Sequence, residues 1–368
     1  MRIKAAYILE VGTLTIGEVE LDSPKPTEVL VRMHAAGVGH SDLHAYKGEL
    51  RATPPLVLGH EGAGVVEEVG DQVTRVKPGD RIMVNWLPGC ETCPTCLSGR
   101  FNLCERLPET TFQALLLDGT SRLKTLDGIT LKHMLSAATM SEYIVIDEAS
   151  AVAIPQDVPF EVAAITGCAV ATGVGAVINT AEAKPGLSAA VIGCGGVGLS
   201  AVQGCKLVGS NPIVAVDVLE SKLDFARRLG ATDTINSSQT DAVEALRELT
   251  DGGAEYVFDS VGSASTIVQA LEAARPGGTA TIVGLHAVKI EVAISPATLV
   301  LQNKRLLGSF MGSVRPRLDL PRFIGLYRAG KLQLDDLITK RYSLEQLPQA
   351  FEDMEAGRVA RGVLVFNS

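Results

Sequence analysis

The sequence predicts an α/β protein in two parts, a β-rich first domain and a doubly wound parallel sheet. Three observations predict it. The first third reads as short β segments broken by glycine and proline, whereas from about Pro185 short apolar strands alternate with amphipathic helices. The run Gly193-Cys194-Gly195-Gly196-Val197-Gly198 stands at one of these strand–helix junctions. At 368 residues the chain is also too long for one ordinary core and suggests two domains.

In the β-rich part, Glu28–Met33, Gly64–Val69 and Arg81–Val84 are strands, and Lys77-Pro78-Gly79-Asp80 is a turn. No helix of regular length stands out before the cysteine cluster. From Pro185 onward, Ala189–Gly193, Ile213–Asp217, Tyr256–Ser260 and Thr279–Leu285 are short apolar strands. Val197–Val208, Glu220–Leu229 and Thr266–Ala274 are the helical stretches between them. Past Phe310 come helical stretches at Asp319–Arg328 and near Leu347–Ala356, then a closing strand, Gly362–Phe366.

Composition excludes several functions. Hydrophobic residues make up 46% and charged residues 20%, the balance of a globular protein rather than a disordered one. A net charge of −9, with lysine and arginine scattered, gives nucleic acid no basic stripe to bind. The start, MRIKAAYILEVG, has no apolar core and no small-residue cleavage site, so no signal peptide is expected. Pro185–Cys205 carries no charge and is long enough to span a bilayer. Its glycines make it a strand, turn and helix instead, and no membrane partner is expected. The expected compartment is the cytoplasm, and the expected partner is a small-molecule substrate.

Gly193 permits the tight turn, Gly195 lets the backbone approach a pyrophosphate, and Gly198 allows close helix–strand packing. Gly196 and Val197 open the helix whose N-terminal N–H groups would face the anion. Asp217 ends the next strand, where a carboxylate accepts hydrogen bonds from ribose hydroxyls and repels a 2′-phosphate, so NAD is favoured over NADP. Lys222 either contacts the same ribose or is a solvated surface lysine.

Seven cysteines are present, four of them in the pattern Cys90-x2-Cys93-x2-Cys96-x7-Cys104. In a chain without a signal peptide such clustering points to metal rather than disulfides. A closed tetrahedron of four thiolates suits a structural zinc, one per chain, in a lobe at about residues 88–106. An iron–sulfur cluster or free thiols compete with that reading, but the proline that follows the last cysteine of ferredoxin runs is missing.

The ordered motifs GVGHSDLHA, GHEGAGVVEEVG, GCETCPTC, ITGCAVATGVGAV, GCGGVG and VAVD resemble the medium-chain, zinc-containing alcohol dehydrogenase family. GTSRL at Gly119–Leu123 and ARGVLVF at Ala360–Phe366 extend the resemblance over essentially the whole chain. It implies a GroES-like catalytic domain, residues 1–168 and 311–368, around a Rossmann NAD-binding domain, residues 169–310. It also implies a homodimer formed by edge strands near Thr298–Gly312, as in the longer members.

The resemblance implies a catalytic zinc on His60 and Cys168, with Glu61 beside the histidine; if zinc is held there, Asp42 is placed to orient His60. The family's first cysteine ligand falls where this chain has Gly39, which offers no thiolate. Two outcomes are open. Zinc is retained by His60, Cys168 and Glu61, since a carboxylate is an acceptable ligand, or the site is empty. The resemblance further makes Ser41 the acceptor of the alcohol proton, passed through the cofactor ribose to His44; a surface-loop histidine is the plainer alternative. His40 and Arg361 would approach the pyrophosphate, and Thr172, Val283 and Leu285 would line the nicotinamide. Trp86 is a pocket aromatic or a packed core residue. The loops Tyr46–Pro55 and Leu107–Leu117 would shape the pocket.

The expected function is NAD-linked hydride transfer on a small alcohol, aldehyde or ketone. A reductase of conjugated C=C or C=N bonds without catalytic zinc is the alternative, and an NAD-binding protein that has lost activity is a third.

Overall fold

The computed structural model describes residues 1–49, 53–285 and 290–366. The chain divides into two compact units. One comprises Met1–Cys168, Arg315–Arg328 and the segment from Ile338 onward, and the other comprises Ala169–Val314 and Ala329–Leu337. The return to the first unit thus begins at Arg315, and Ala329–Leu337 stands with the second. Hydrogen bonds explain the latter. Gln333 N–H donates to Gln203 Oε1 at 2.6 Å, and Lys206 Nζ donates to Gln333 Oε1 at 3.2 Å.

In the first unit, strands Arg2–Glu10, Thr13–Leu21, Leu123–Thr125, Thr130–His133 and Leu56–Val57 close a barrel. Alternation drives them together: Ile3, Ala5, Val19, Leu21, Leu123 and Leu131 turn inward and are buried. Each of the valine, leucine and isoleucine side chains contributes about 1.5–3 kcal/mol on burial. A second, seven-stranded sheet is built around Glu28–Val38. That strand pairs with Glu61–Val69 and, on its other side, with Tyr143–Asp147 and the closing strand Arg361–Val365. The register sets Gly37 opposite Glu61 on one side and Val363 on the other. Glu61 and the start of the last strand are thereby brought to the same end of the sheet.

Directly after Glu28–Val38, residues His40–Tyr46 form a helix that periodicity had not revealed, because it is only 7 residues long. Residues 160–180 form consecutive helical turns, also unforeseen. They are long and apolar enough to cross a membrane by length and composition, yet 78% of their most apolar window is buried inside the protein.

The second unit holds a six-stranded parallel sheet in the order Asp233–Asn236, Ile213–Asp217, Ala189–Ile192, Ala254–Asp259, Ala274–Ile282, Arg305–Gly308. The order reverses between Ala189–Ile192 and Ala254–Asp259, and ligands of such sheets bind at the carboxyl ends beside that point. Strand Asp233–Asn236 and helix Ala242–Leu249 were not anticipated. Asp241 announces the helix, accepting from Val243 N–H and Glu244 N–H at 2.9 Å. The helix expected at Thr266–Ala274 runs Ala264–Ala273, starting earlier because Ser263 caps it. Of the segment expected as edge strands near Thr298–Gly312, only Arg305–Gly308 is strand; residues Pro296–Val300 are helical.

Candidate active site and nucleotide site

Asp42 organises the first unit's site. It sits in the first turn of the His40–Tyr46 helix, fully buried, and accepts Gly39 N–H at 2.9 Å through Oδ2. Its Oδ1 lies 3.1 Å from His60 Nδ1. His60 is itself buried, with the Trp86 ring edge-on at 6.2 Å. Trp86 is therefore a packed residue that stands against His60. Burial disfavours a charged His60, but the carboxylate of Asp42 and the sulfur of Cys168 outweigh it and raise its pKa well above the usual histidine value.

His60, Glu61 and Cys168 each place one ligand atom within 4.8 Å of the others. Four-coordinate zinc with bonds of about 2.0–2.3 Å keeps its donors about 3.5 Å apart, within reach of small rotamer adjustments. The three donors are an imidazole, a carboxylate and a thiol, all of them groups that zinc takes. The donor set fits zinc.

Glu61 is fully buried and lies against Gly37; a Cβ there would stand 1.9 Å from Glu61 Oε2. Gly37 is thus a site residue that sequence reasoning missed, its only signal being the paired glycines of AAGVGH. Arg361 pairs its Nη2 with Glu61 Oε1. Burial opposes the guanidinium's charge, but Glu61 prevails and holds the pKa of Arg361 above its ordinary value.

Gly39 is buried, with φ −122° and ψ 163°, an extended conformation open to any residue. A Cβ there would meet Arg361 Nη2 at 3.1 Å and His60 Cε1 at 3.3 Å. Neither backbone nor gross crowding demands glycine at this position. Ser41 and His44 lie one turn apart on the same helix, both half-buried, while His40 is exposed. Residues 50–52 of the Tyr46–Pro55 loop lie outside the described residues.

Cys90, Cys93, Cys96 and Cys104 also bring their sulfurs within 4.8 Å of one another. Backbone N–H groups turn toward them: Cys93 N–H donates to Cys90 Sγ, Cys96 N–H to Cys93 Sγ and Cys90 N–H to Cys104 Sγ, each at 3.4 Å. Burial raises Cys90, but the hydrogen bonds from Thr92 and Cys93 more than offset it and bring it down to about 6. Hydrogen bonds lower Cys93 as well, whereas burial pushes the Cys96 and Cys104 thiols up. The closed set of four sulfurs fits a structural zinc.

In the second unit the glycine turn follows strand Ala189–Ile192 and leads into helix Gly196–Val208. Gly193 has φ +89°, and a Cβ on Gly198 would stand 1.8 Å from Gly193 O, so the turn excludes side chains at both. A Cβ on Gly195 would meet nothing within 4 Å, which leaves that stretch of backbone open to a ligand. Asp217 is buried; Oδ2 accepts Cys194 N–H at 2.7 Å and Oδ1 accepts Leu219 N–H at 3.1 Å. The charge of Lys222 reaches the same turn, acting on Cys194 against its burial. Thr172 donates to Met311 Sδ at 3.4 Å, and Val283 and Leu285 follow directly on strand Ala274–Ile282. The cradle fits a dinucleotide.

The chain matches two family models: an alcohol dehydrogenase GroES-like domain over residues 25–156 and a zinc-binding dehydrogenase domain over residues 196–328. It is 41% identical to an alcohol dehydrogenase class-3 of Cereibacter sphaeroides, over 100% of both chains. It is 38% identical to an S-(hydroxymethyl)glutathione dehydrogenase of Saccharomyces cerevisiae, over 95% of this chain and 92% of that protein. A crystal structure of benzyl alcohol dehydrogenase from Acinetobacter calcoaceticus matches with TM-score 0.95 and 31% identity over 100% of both chains. On these matches the chain belongs to the medium-chain, zinc-containing alcohol dehydrogenase family and is an NAD-dependent oxidoreductase.

Proposed function

We propose that the protein interconverts a small alcohol with its aldehyde or ketone at a metal centre formed by His60, Glu61 and Cys168, with no ligand from residue 39. The observation that carries this is Asp42's hold on His60 Nδ1, which leaves Nε2 as the ring nitrogen for a metal beside Cys168 and Glu61. Bound zinc supplies Lewis acidity to the substrate oxygen, and NAD accepts or returns the hydride.

The chain's own residues do the rest. Cys168 and Glu61 bring anionic donors, and Asp42 fixes the ring of His60. Glu61 would be a metal ligand while it also pairs with Arg361. Ser41 takes the proton that leaves the alcohol, and His44 stores it. Trp86 walls the substrate side. The turn from Gly193 to Gly198 holds the pyrophosphate, and Asp217 and Lys222 the adenosine ribose. Thr172, Val283 and Leu285 flank the nicotinamide.

The relatives' names put S-hydroxymethyl thiol adducts and benzylic alcohols first among substrates to try. The test is NADH formation by zinc-loaded protein across those alcohols, with aldehydes, ketones and enones run in reverse. Alcohol turnover supports the reading, and turnover of enones alone overturns it. A zinc-free reductase is the second reading, favoured by the pairing of Arg361 with Glu61 beside Gly39.

Two further assignments belong to the proposal. The protein works in the cytoplasm, where its seven cysteines, all free of disulfides, stay reduced. It forms a homodimer through the sheet edge at Arg305–Gly308, beside the exposed Val300 and Leu301. Light scattering at working concentration checks the latter.

A further inference from the structure

The His40–Tyr46 helix ends in a way that aims one carboxylate at His44. Gly48 has φ +75°, the left-handed conformation that reverses the chain after a helix. Gly48 N–H donates to Ala45 O at 3.1 Å and Glu49 N–H donates to His44 O at 2.8 Å, the paired hydrogen bonds of a left-handed helix terminus. A residue so placed lies back over the helix's last turn. Glu49 does, and its Oε2 hydrogen-bonds to His44 Nδ1. The two residues are therefore joined twice, through backbone and through side chains. Charged or titratable neighbours among the described residues include the His40 ring, 6.4 Å from that of His44, and Lys47, which pairs with Glu355.

A carboxylate only accepts, so the proton of a neutral His44 must sit on Nδ1, and the lone pair must sit on Nε2. We propose that Glu49 is the positioning residue of His44. It fixes the tautomer that presents Nε2 as the proton acceptor during alcohol oxidation, and it neutralises the imidazolium once the proton has arrived. The inference rests on the reading above that His44 receives that proton. In the balanced step the alcohol's C–H hydride goes to NAD, its O–H proton ends on His44 Nε2, and neutral imidazole becomes imidazolium beside the Glu49 carboxylate. The arrangement follows the general logic by which a carboxylate on Nδ1–H orients a catalytic histidine. Here it operates on a half-exposed pair, so its effect is smaller than in a buried triad.

The backbone bonds of the terminus come from Gly48 and from main-chain groups, so replacing the Glu49 side chain leaves the fold intact. The test compares Glu49→Ala, Glu49→Asp, His44→Gln and the double variant Glu49→Ala/His44→Gln in steady-state alcohol oxidation. Long-range ¹⁵N–¹H NMR of histidine-labelled protein without substrate reads the tautomer of His44 directly. We expect Glu49→Ala to lower kcat about tenfold or more. The alcohol KM should stay within about twofold, Glu49→Asp should recover part of the loss, and the double variant should be no slower than His44→Gln. The His44 nitrogen pattern should move from a pure Nδ1–H form to a mixture in Glu49→Ala. If His44→Gln is slow but Glu49→Ala keeps both its kcat and the Nδ1–H pattern, the role of Glu49 is overturned and that of His44 stands. If His44→Gln turns over at the wild-type rate, the reading beneath it falls as well.

Discussion

Arg361 carries its Nη2 to within 3.1 Å of the point where a Cβ on Gly39 would stand. The guanidinium, anchored on Glu61, thus borders the space that the family fills with a thiolate-bearing side chain. Because Gly39 has an ordinary extended backbone, Gly39→Cys needs only a shift of a few tenths of an ångström in its neighbours. We expect it to cost less than about 1.5 kcal/mol in stability. It should tighten zinc binding at His60 and Cys168 by about tenfold or more, since it adds an anionic donor. Chelator competition measures the affinity, and cobalt-substituted protein should show stronger thiolate-to-metal absorption than wild type.

Asp42 joins the two parts of this site by holding both His60 Nδ1 and Gly39 N–H. Asp42→Asn keeps an acceptor for one of these but loses the charge, and metal affinity should fall about 10–100-fold. Asp42→Ala also strips the helix N-terminus of its acceptor and should cost about 1 kcal/mol more in urea unfolding.

The cysteine lobe and the glycine turn were legible in the sequence because each is a local string whose spacing reflects its chemistry, whereas His60, Glu61 and Cys168, far apart along the chain, came only from the family resemblance. Gly37 was not, because its meaning lies in the pairing that sets it opposite Glu61, and register across a sheet leaves no local mark. Glu49 was hidden for a related reason: only the left-handed turn at Gly48 folds it back onto His44. The strands and helices from Ala189 to Leu229 follow the apolar pattern closely. Strand Asp233–Asn236 escaped because it is short and only partly buried at the sheet's edge.

Asp217 ties the site together locally, its oxygens accepting backbone N–H groups of the glycine turn and of the following loop; the proposed reading adds the cofactor ribose. Asp217→Asn removes the charge while keeping an acceptor. We expect kcat/KM for NAD to fall about tenfold or more and the preference over NADP to narrow. Steady-state kinetics with both cofactors checks this.

Cys104→Ser should remove the lobe's zinc and loosen residues 88–106 without emptying the His60 site. The check is limited proteolysis beside metal analysis, in which cleavage should concentrate in the lobe.

His133 is fully buried, and its Nε2 accepts Arg122 N–H at 3.0 Å. Burial first, and then the Arg122 charge, push its pKa down to about 3, against about 6.5 in an unfolded chain. Below pH of about 6.5 the unfolded state therefore binds a proton that the folded state refuses. Stability should fall by about 1.4 kcal/mol per pH unit from this group alone, levelling off as pH nears 3. His133→Gln keeps an acceptor but cannot titrate, so the pH dependence of its urea midpoint between pH 6 and about 4 should be shallower by about one proton.

The central claim is a metal bound without a ligand from residue 39, and elemental mass spectrometry of freshly purified protein tests it most directly. The account predicts two zincs per chain in wild type, one in Cys168→Ser, and one in Cys104→Ser. A single zinc per chain in wild type, unchanged by Cys168→Ser and lost in Cys104→Ser, would contradict it.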